Sequence, residues 1–87
     1  MYIKEVTVTN DVGLHARPAT FLIQKANEYR CSLWVEKEER RINAKSLLGV
    51  LSLGVASGTA INIIGDGVDE KEAVEALCSL IVSNFAE

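Results

Sequence analysis

Hydrophobic and polar positions alternate at the start of the chain and then change period. A strand is predicted from Tyr2 to Thr9, where Val6 and Val8 share one face and polar residues occupy the other. From Ala16 to Tyr29, apolar residues recur at the i, i+3, i+4 and i+7 spacing of an amphipathic helix. The stripe of this helix is formed by Ala19, Leu22, Ile23 and Ala26.

The middle of the chain predicts a hairpin followed by a short helix. Alternation from Cys31 to Glu36 indicates a second strand, and a polar turn joins it to a short third strand from Arg40 to Asn43. Ser46 is a helix N-cap residue, and its side chain predicts a helix from Leu47 to Leu53. Two such strands joined by a tight turn pair in antiparallel fashion.

The last third of the chain predicts one more strand and one more helix. The strand runs from Thr59 to Ile64, and the turn Gly65-Asp66-Gly67 follows it. Asp69 is the expected cap of the final helix, whose buried stripe comprises Ala73, Val74, Leu77, Leu80 and Ile81. The resulting order β-α-β-β-α-β-α predicts a single α+β domain over residues 1–87, with helices on one face of a mostly antiparallel sheet.

Composition narrows the classes of function. The chain of 87 residues is 48% hydrophobic with a net charge of −3, and it has no basic face of the kind that nucleic acid requires. It contains neither a secretory signal pattern nor an apolar run near the roughly 20 residues that span a bilayer. Cys31 and Cys78 match no metal-ligand spacing, and we expect free thiols. These features predict a cytoplasmic protein with no membrane or nucleic-acid partner, no metal and no cofactor.

The only histidine, His15, lies where the first helix is predicted to begin. Free N–H groups and the positive end of the helix dipole would face an anion beside Ala16, Arg17 and Pro18. The Arg17 guanidinium matches phosphate oxygens, and an imidazole nitrogen is a nucleophile that forms covalent adducts. The residues therefore allow a site of reversible phosphorylation. On geometry alone, a surface histidine with no such role is the more common case, because helix N-termini with a nearby arginine are common.

Two runs of residues extend this argument. The run GLHARPA at residues 13–19 resembles the active-site signature of the histidine-containing phosphocarrier (HPr) family of the bacterial sugar phosphotransferase system. The run NAKSLLGVLSLG at residues 43–54 resembles the regulatory serine segment of the same family. The resemblance covers the whole chain, and it implies an open-faced β-sandwich with strand order 1-4-2-3 and three helices on one face.

The resemblance also implies a carrier rather than an enzyme. Phosphorylated enzyme I would transfer its phosphoryl group to His15, with Arg17 stabilising the phosphate, and sugar-specific enzyme II A components would accept the group from there. In Gram-positive members, a dedicated HPr kinase/phosphorylase modifies the serine that corresponds to Ser46. The modified protein then slows enzyme I and acts with the catabolite control protein. Ser46 as a simple N-cap is the competing interpretation, and both roles are compatible.

The resemblance further implies a partner-binding surface next to His15. An exposed apolar patch is typical of such surfaces, and a helix of seven residues cannot bury every side. Basic residues that relatives carry on the first helix are absent here, so electrostatic steering would rest on Arg17 and Lys45. The implied partner-binding residues are Thr20, Lys45, Leu47, Leu48, Leu51 and Ser52.

Other classes of function make different demands on the sequence. A purely regulatory module of the same fold would act through Ser46 and lack the active histidine, which is present here. A carrier linked to a nitrogen-related branch or to dihydroxyacetone kinase would use the same chemistry with other partners, and the Ser46 segment disfavours it. A small nucleic-acid binder is disfavoured by charge.

Overall fold

A computed structural model describes residues 1–86 and contains four strands and three helices within them. The sheet consists of β1 (Tyr2–Thr7), β2 (Ser32–Lys37), β3 (Arg40–Asn43) and β4 (Ala60–Asp66). The helices are α1 (Ala16–Ala26), α2 (Leu47–Leu53) and α3 (Glu70–Val82). This is the predicted order β-α-β-β-α-β-α, and the bounds of β3 and α2 are those predicted from the sequence.

The sheet is antiparallel throughout and has the order β1-β4-β2-β3. The α+β open-faced sandwich implied by the sequence is therefore confirmed. Because all three helices cover one face, the other face is open. Its central row contains Ile3, Ile64, Trp34 and Asn43, which are paired across the four strands.

The core lies between the helices and the covered face of the sheet. Val6 and Val8 are both buried, as the alternation from Tyr2 to Thr9 predicts, although β1 itself ends at Thr7. The predicted stripes of α1 and α3 are also buried, except that Ile23 is only partly covered. The largest fully buried side chains of this core are Leu14, Leu22, Leu33, Ile61, Ile63, Leu77 and Ile81.

Helix α1 ends at Ala26 rather than at the predicted Tyr29. The N–H groups of Glu28 and Tyr29 donate to the carbonyls three residues earlier, at 3.1 and 3.2 Å, so the α-helix gives way to a tighter turn of the 3₁₀ type. The Asn27 side-chain amide also donates to the Ile23 carbonyl at 2.9 Å. This side-chain bond satisfies a carbonyl at the helix end, which the apolar pattern alone does not reveal.

Strand β4 continues through Gly65 and Asp66, which the sequence predicted as a turn. Gly65 pairs with Tyr2 on one side and Leu33 on the other. A Cβ at Gly65 would lie only 2.9 Å from Val74 Cγ2 of α3. Glycine here permits close packing of the helix on the sheet rather than a change of chain direction.

Asp69 occupies the N-cap position of α3, but within residues 1–86 its side chain makes no capping bond to that helix. Its carboxylate instead accepts the backbone N–H groups of Arg30 and Cys31, each at 2.9 Å. These bonds, the one from Arg30 foremost, lower the pKa of Asp69. The predicted N-cap position is thus confirmed, but the side-chain capping bond is absent because the carboxylate instead binds the segment that leads into β2.

Candidate functional site

His15 lies at the N-cap of α1 with extended backbone angles, φ −125° and ψ 158°. The side chain is exposed, and within residues 1–86 it makes no capping hydrogen bond. The imidazole is therefore open to solvent at the mouth of the helix. This is the position that the sequence predicted.

The first turn of α1 is arranged to favour an anion. It contains no acidic residue, and Arg17 is exposed on it. Pro18 carries no N–H, so the open backbone donors at this end belong to Ala16 and Arg17. The positive end of the helix dipole adds to the Arg17 charge beside the imidazole.

Ala16 adopts a left-handed backbone conformation, with φ +52°. A non-glycine residue in this region carries local strain of about 1–2 kcal/mol. The Thr20 hydroxyl donates to the Ala16 carbonyl at 3.3 Å, one turn further along the helix. Thr20 thus supports the turn that presents His15, and it is exposed beside the site.

The loop before His15 is fixed by a second segment of backbone. Leu14 is fully buried, and its N–H donates to the Val55 carbonyl at 2.9 Å. Gly13 has φ +66°, and a Cβ there would lie 2.9 Å from Ala56 Cα and closer still to the Val55 carbonyl oxygen. The glycine of the GLHARPA run is therefore required by a crossing of two backbones as well as by its own conformation.

Asn10 supports the same loop and was not singled out by the sequence. Its side-chain amide donates to the Gly13 carbonyl at 2.9 Å. Its Oδ1 atom is buried and has no hydrogen-bond partner within the described residues. The signal in the sequence is an Asn three residues before a Gly, a common pattern in turns.

Helix α2 is capped by Ser46, as predicted. The Ser46 hydroxyl oxygen accepts the Gly49 N–H at 3.1 Å, and the Ser46 N–H donates to the Asn43 carbonyl at 3.1 Å. Gly54 ends the helix with φ +67°. The Ser52 hydroxyl is exposed and donates back to the Gly49 carbonyl at 2.8 Å.

The leucines of α2 divide between the core and the surface. Val50 and Leu53 are buried beneath the helix. Leu47 is 45% exposed and Leu48 is 81% exposed, while Leu51 is partly covered by the core. Leu47 and Leu48 thus form an exposed apolar surface, which is the kind of feature that marks contact with another molecule.

Helices α1 and α2 pack together, and hydrogen bonds at their two ends indicate that they run in opposite directions. The segment after α2 is bonded at Val55 to Leu14, beside the start of α1. At the other end, Lys45 Nζ donates to the Tyr29 carbonyl at 2.7 Å, beyond the end of α1. The C-terminal end of α2 therefore lies near His15, whereas Lys45 is fixed toward the far end of α1.

Two cations of the β2–β3 hairpin bind the C-terminal end of α2. Lys37 Nζ donates to the Gly54 carbonyl at 3.1 Å, and Arg40 donates to the Ser52 carbonyl at 3.2 Å. Cations are favoured where helix carbonyls are left unpaired. Sequence reasoning did not assign these two residues, because the contact joins segments that are far apart in the chain.

Across residues 1–86, no cluster of three or more His, Cys, Asp or Glu side chains is placed to hold a metal ion. In the same range, no helix is long and apolar enough to cross a bilayer. Cys31 and Cys78 are buried free thiols, and burial raises the pKa of each to about 11.

Comparisons with known proteins agree on one family. Residues 2–83 match the family model described as the PTS HPr component phosphorylation site. The chain is 43% identical over 81 residues to the HPr-like protein Crh of Halalkalibacterium halodurans, covering 93% of this chain and 96% of Crh. It is 39% identical over 87 residues to the phosphocarrier protein HPr of Neisseria meningitidis serogroup A, covering 100% and 98% of the two chains.

Solved structures show the same relationship. The crystal structure of an HPr from Thermoanaerobacter tengcongensis matches with a TM-score of 0.97 and 42% sequence identity. The match covers 100% of this chain and 98% of that one. With the family model and the curated relatives, this agreement shows that the chain belongs to the HPr family of phosphocarrier proteins.

Proposed function

We propose that this phosphocarrier accepts its phosphoryl group on His15 and transfers it onward from there. The observation that supports this proposal is the exposed, uncapped imidazole at the N-terminus of α1, next to Arg17 and a turn without carboxylates. The donor proposed is phosphorylated enzyme I, and the acceptors are sugar-specific enzyme II A components. The protein is then a covalent substrate of its partners in the cytoplasm, not a catalyst with its own turnover.

The step proposed is an in-line phosphoryl transfer from the phosphorylated donor to His15. The lone pair of a His15 ring nitrogen attacks the phosphorus, a new P–N bond forms, and the bond between the phosphorus and the donor side chain breaks. The leaving electron pair remains on the donor atom that carried the phosphoryl group. Arg17 and the open N–H groups of α1 stabilise the equatorial oxygens, because this chemistry depends on positioning and electrostatics.

The docking surface proposed lies along α1 and α2. Leu47, Leu48 and Leu51 supply its apolar part, and Thr20 and Ser52 supply exposed hydroxyls near the His15 end. Lys45 is proposed to contribute charge from the opposite end of α1 rather than next to the phosphoryl group. A partner that covers this surface would exclude water from the transfer.

We also propose that phosphorylation of Ser46 by an HPr kinase/phosphorylase regulates the carrier. The Ser46 side chain is partly exposed at the start of α2, beside the exposed Leu47. A phosphate there would place negative charge at the edge of the docking surface, which would repel acidic partners while leaving the helix intact. Association of the modified form with the catabolite control protein is part of this proposal.

The experiment compares intact masses of wild type, His15→Ala and Ser46→Ala after incubation with phosphoenolpyruvate and enzyme I. We expect an acid-labile gain of about 80 Da, the mass of one phosphoryl group, in wild type and in Ser46→Ala. His15→Ala should gain nothing while keeping its circular dichroism spectrum. An adduct of equal amount on His15→Ala would refute the assignment of His15.

The regulatory proposal needs a separate measurement. The rate of His15 phosphorylation is compared between wild type, Ser46→Asp and Ser46→Asn. Asp and Asn both cap helices, so only the added charge distinguishes the two variants. We expect slower phosphorylation in Ser46→Asp alone, and equal rates in both variants would contradict a charge effect at Ser46.

A further inference from the structure

A pocket of about 230 Å³ lies away from His15, where β2 begins and β3 ends. Ser32, Trp34 and Asn43 line it from the open face of the sheet, because Ser32 and Trp34 are two residues apart and Trp34 pairs with Asn43. Arg30 and Lys45 line it from the segments that flank the two strands. The function proposed above uses none of this cavity except Lys45.

The charged side chains that line the pocket are both cations, Arg30 and Lys45. The Asp69 carboxylate lies beside the pocket and is already bound by the backbone N–H groups of Arg30 and Cys31. Within the part of the chain that the structure describes, neither cationic side chain forms an ion pair with a carboxylate. Two unpaired cations on one cavity of a protein with a net charge of −3 favour an anionic ligand.

Two polar groups of the pocket, the Lys45 ammonium and the Asn43 side-chain amide, are held in place as donors. Lys45 Nζ donates to the Tyr29 carbonyl at 2.7 Å, which fixes the ammonium group and leaves its other N–H bonds available. Asn43 Oδ1 accepts the Lys45 backbone N–H at 2.8 Å, so the remaining hydrogen-bonding group of the Asn43 side chain is its NH₂. Ammonium, guanidinium and amide donors are the groups that bind carboxylates and phosphates.

Trp34 provides the apolar wall. It is the only tryptophan in the chain, it is half-buried, and its cross-strand neighbour Ile64 is only 1% exposed. The Arg41 guanidinium lies 5.9 Å from the ring centroid, and Arg41 is in turn paired with Glu36. Arg41 therefore lies over the indole ring, and an aromatic wall of this kind favours a flat apolar group.

We propose that this pocket binds a small organic anion, with a carboxylate or phosphate head at Arg30 and Lys45 and a flat apolar body against Trp34. The volume limits the ligand to about the size of one substituted ring, because drug-sized ligands occupy pockets of roughly 300 Å³ or more. The ligand would leave His15 free, since the pocket lies at the opposite end of α1.

The test is a titration of the ¹⁵N-labelled protein with benzoate and with phenyl phosphate, followed by NMR at constant ionic strength. We expect saturable shifts at the Trp34 indole N–H and at the amides of Ser32 and Asn43. Neutral benzamide lacks the anionic head, and inorganic phosphate lacks the flat apolar body. Each should therefore bind at least about tenfold more weakly. The affinities of benzoate and phenyl phosphate show whether the pocket prefers a carboxylate or a phosphate head.

Variants separate the pocket from the general charge of the protein. Arg30→Gln should weaken binding about tenfold, and its guanidinium has no hydrogen bond within residues 1–86 whose loss would unfold the protein. Lys45→Gln should act in the same direction, and Lys71→Gln on α3 is the control with the same change of charge. Equal weakening in all three variants, equal binding of benzamide, or no saturable shift with either anion would overturn the proposal.

Discussion

Alanine substitutions at Gly13 and Gly54 separate the cost of a left-handed backbone from the cost of a steric clash. Both have nearly the same left-handed backbone, with φ +66° and +67°. At Gly54, no described atom beyond the glycine itself and its two chain neighbours lies within 4 Å of an added Cβ. At Gly13, the added Cβ would overlap the Val55 carbonyl oxygen and lie 2.9 Å from Ala56 Cα. Substitution of each by alanine therefore imposes the same conformational strain, and only Gly13→Ala adds a steric clash.

The magnitude follows from these two contributions. A left-handed alanine costs about 1–2 kcal/mol, and the reduced entropy of the unfolded chain offsets about 0.4–1 kcal/mol of that. Gly54→Ala should therefore lower the free energy of unfolding by about 1 kcal/mol. Forcing backbone apart adds about 1–3 kcal/mol, so Gly13→Ala should lower it by about 2–4 kcal/mol in total.

The assay is urea unfolding of wild type and both variants, followed by far-UV circular dichroism and Trp34 fluorescence. For a domain of this size, the expected loss in Gly13→Ala corresponds to a fall in Tm of roughly 10–25 °C. The clash also displaces the carbonyl that accepts the Leu14 N–H, so His15 phosphorylation should slow in Gly13→Ala more than in Gly54→Ala. Equal losses of stability in the two variants would refute the argument that backbone crossing requires Gly13.

Three further predictions concern stability and reactivity. Because backbone donors lower the pKa of Asp69, its carboxylate stabilises the fold at pH values above its ordinary pKa of 3.8, and this contribution is lost as pH falls through the lower pKa of the folded state. The difference in urea midpoint between wild type and Asp69→Asn should therefore become smaller as pH is lowered from about 6 to about 3. Ser46→Ala should lower the free energy of unfolding by about 1 kcal/mol, while Ser46→Asp retains most of the stability, as measured by thermal unfolding. Cys31 and Cys78 should react slowly with a thiol reagent near pH 8 and rapidly in urea, because burial raises both pKa values to about 11.

Local patterns of apolar, polar and capping residues were sufficient to predict most of the helices and strands. The bounds of α2 depend on a Ser46 side chain that bonds three residues ahead and on a glycine at the end, and both signals lie within the segment itself. The strand faces follow from alternation, because burial of one face leaves only one register that hides the apolar residues. The topology 1-4-2-3 was implied by resemblance to a family, since pairing between distant strands has no local signal.

Two of the errors, at Asp69 and Gly65, occur where a residue contacts a distant segment. Asp69 has the residue type and position of a helix cap, yet its carboxylate binds the amides of Arg30 and Cys31. Gly65 has the residue type of a turn, yet it lies in β4 beneath α3. In both cases a tertiary contact overrides the local preference, and the sequence near the residue contains no information about that contact.

The candidate site also combines features with a local signal and contacts between distant segments. The position of His15 at the helix start was predictable from apolar spacing and Pro18, because both are local. The contacts that hold this helix start in place are not local: Leu14 is bonded to Val55, and Gly13 packs on Ala56. A strained residue such as Ala16 persists only where its surroundings determine its conformation. The backbone crossing at residues 55–56 fixes Gly13 and Leu14, which directly precede His15. This is the physical reason to expect that changes at Gly13 alter the reactivity of His15 without touching the imidazole.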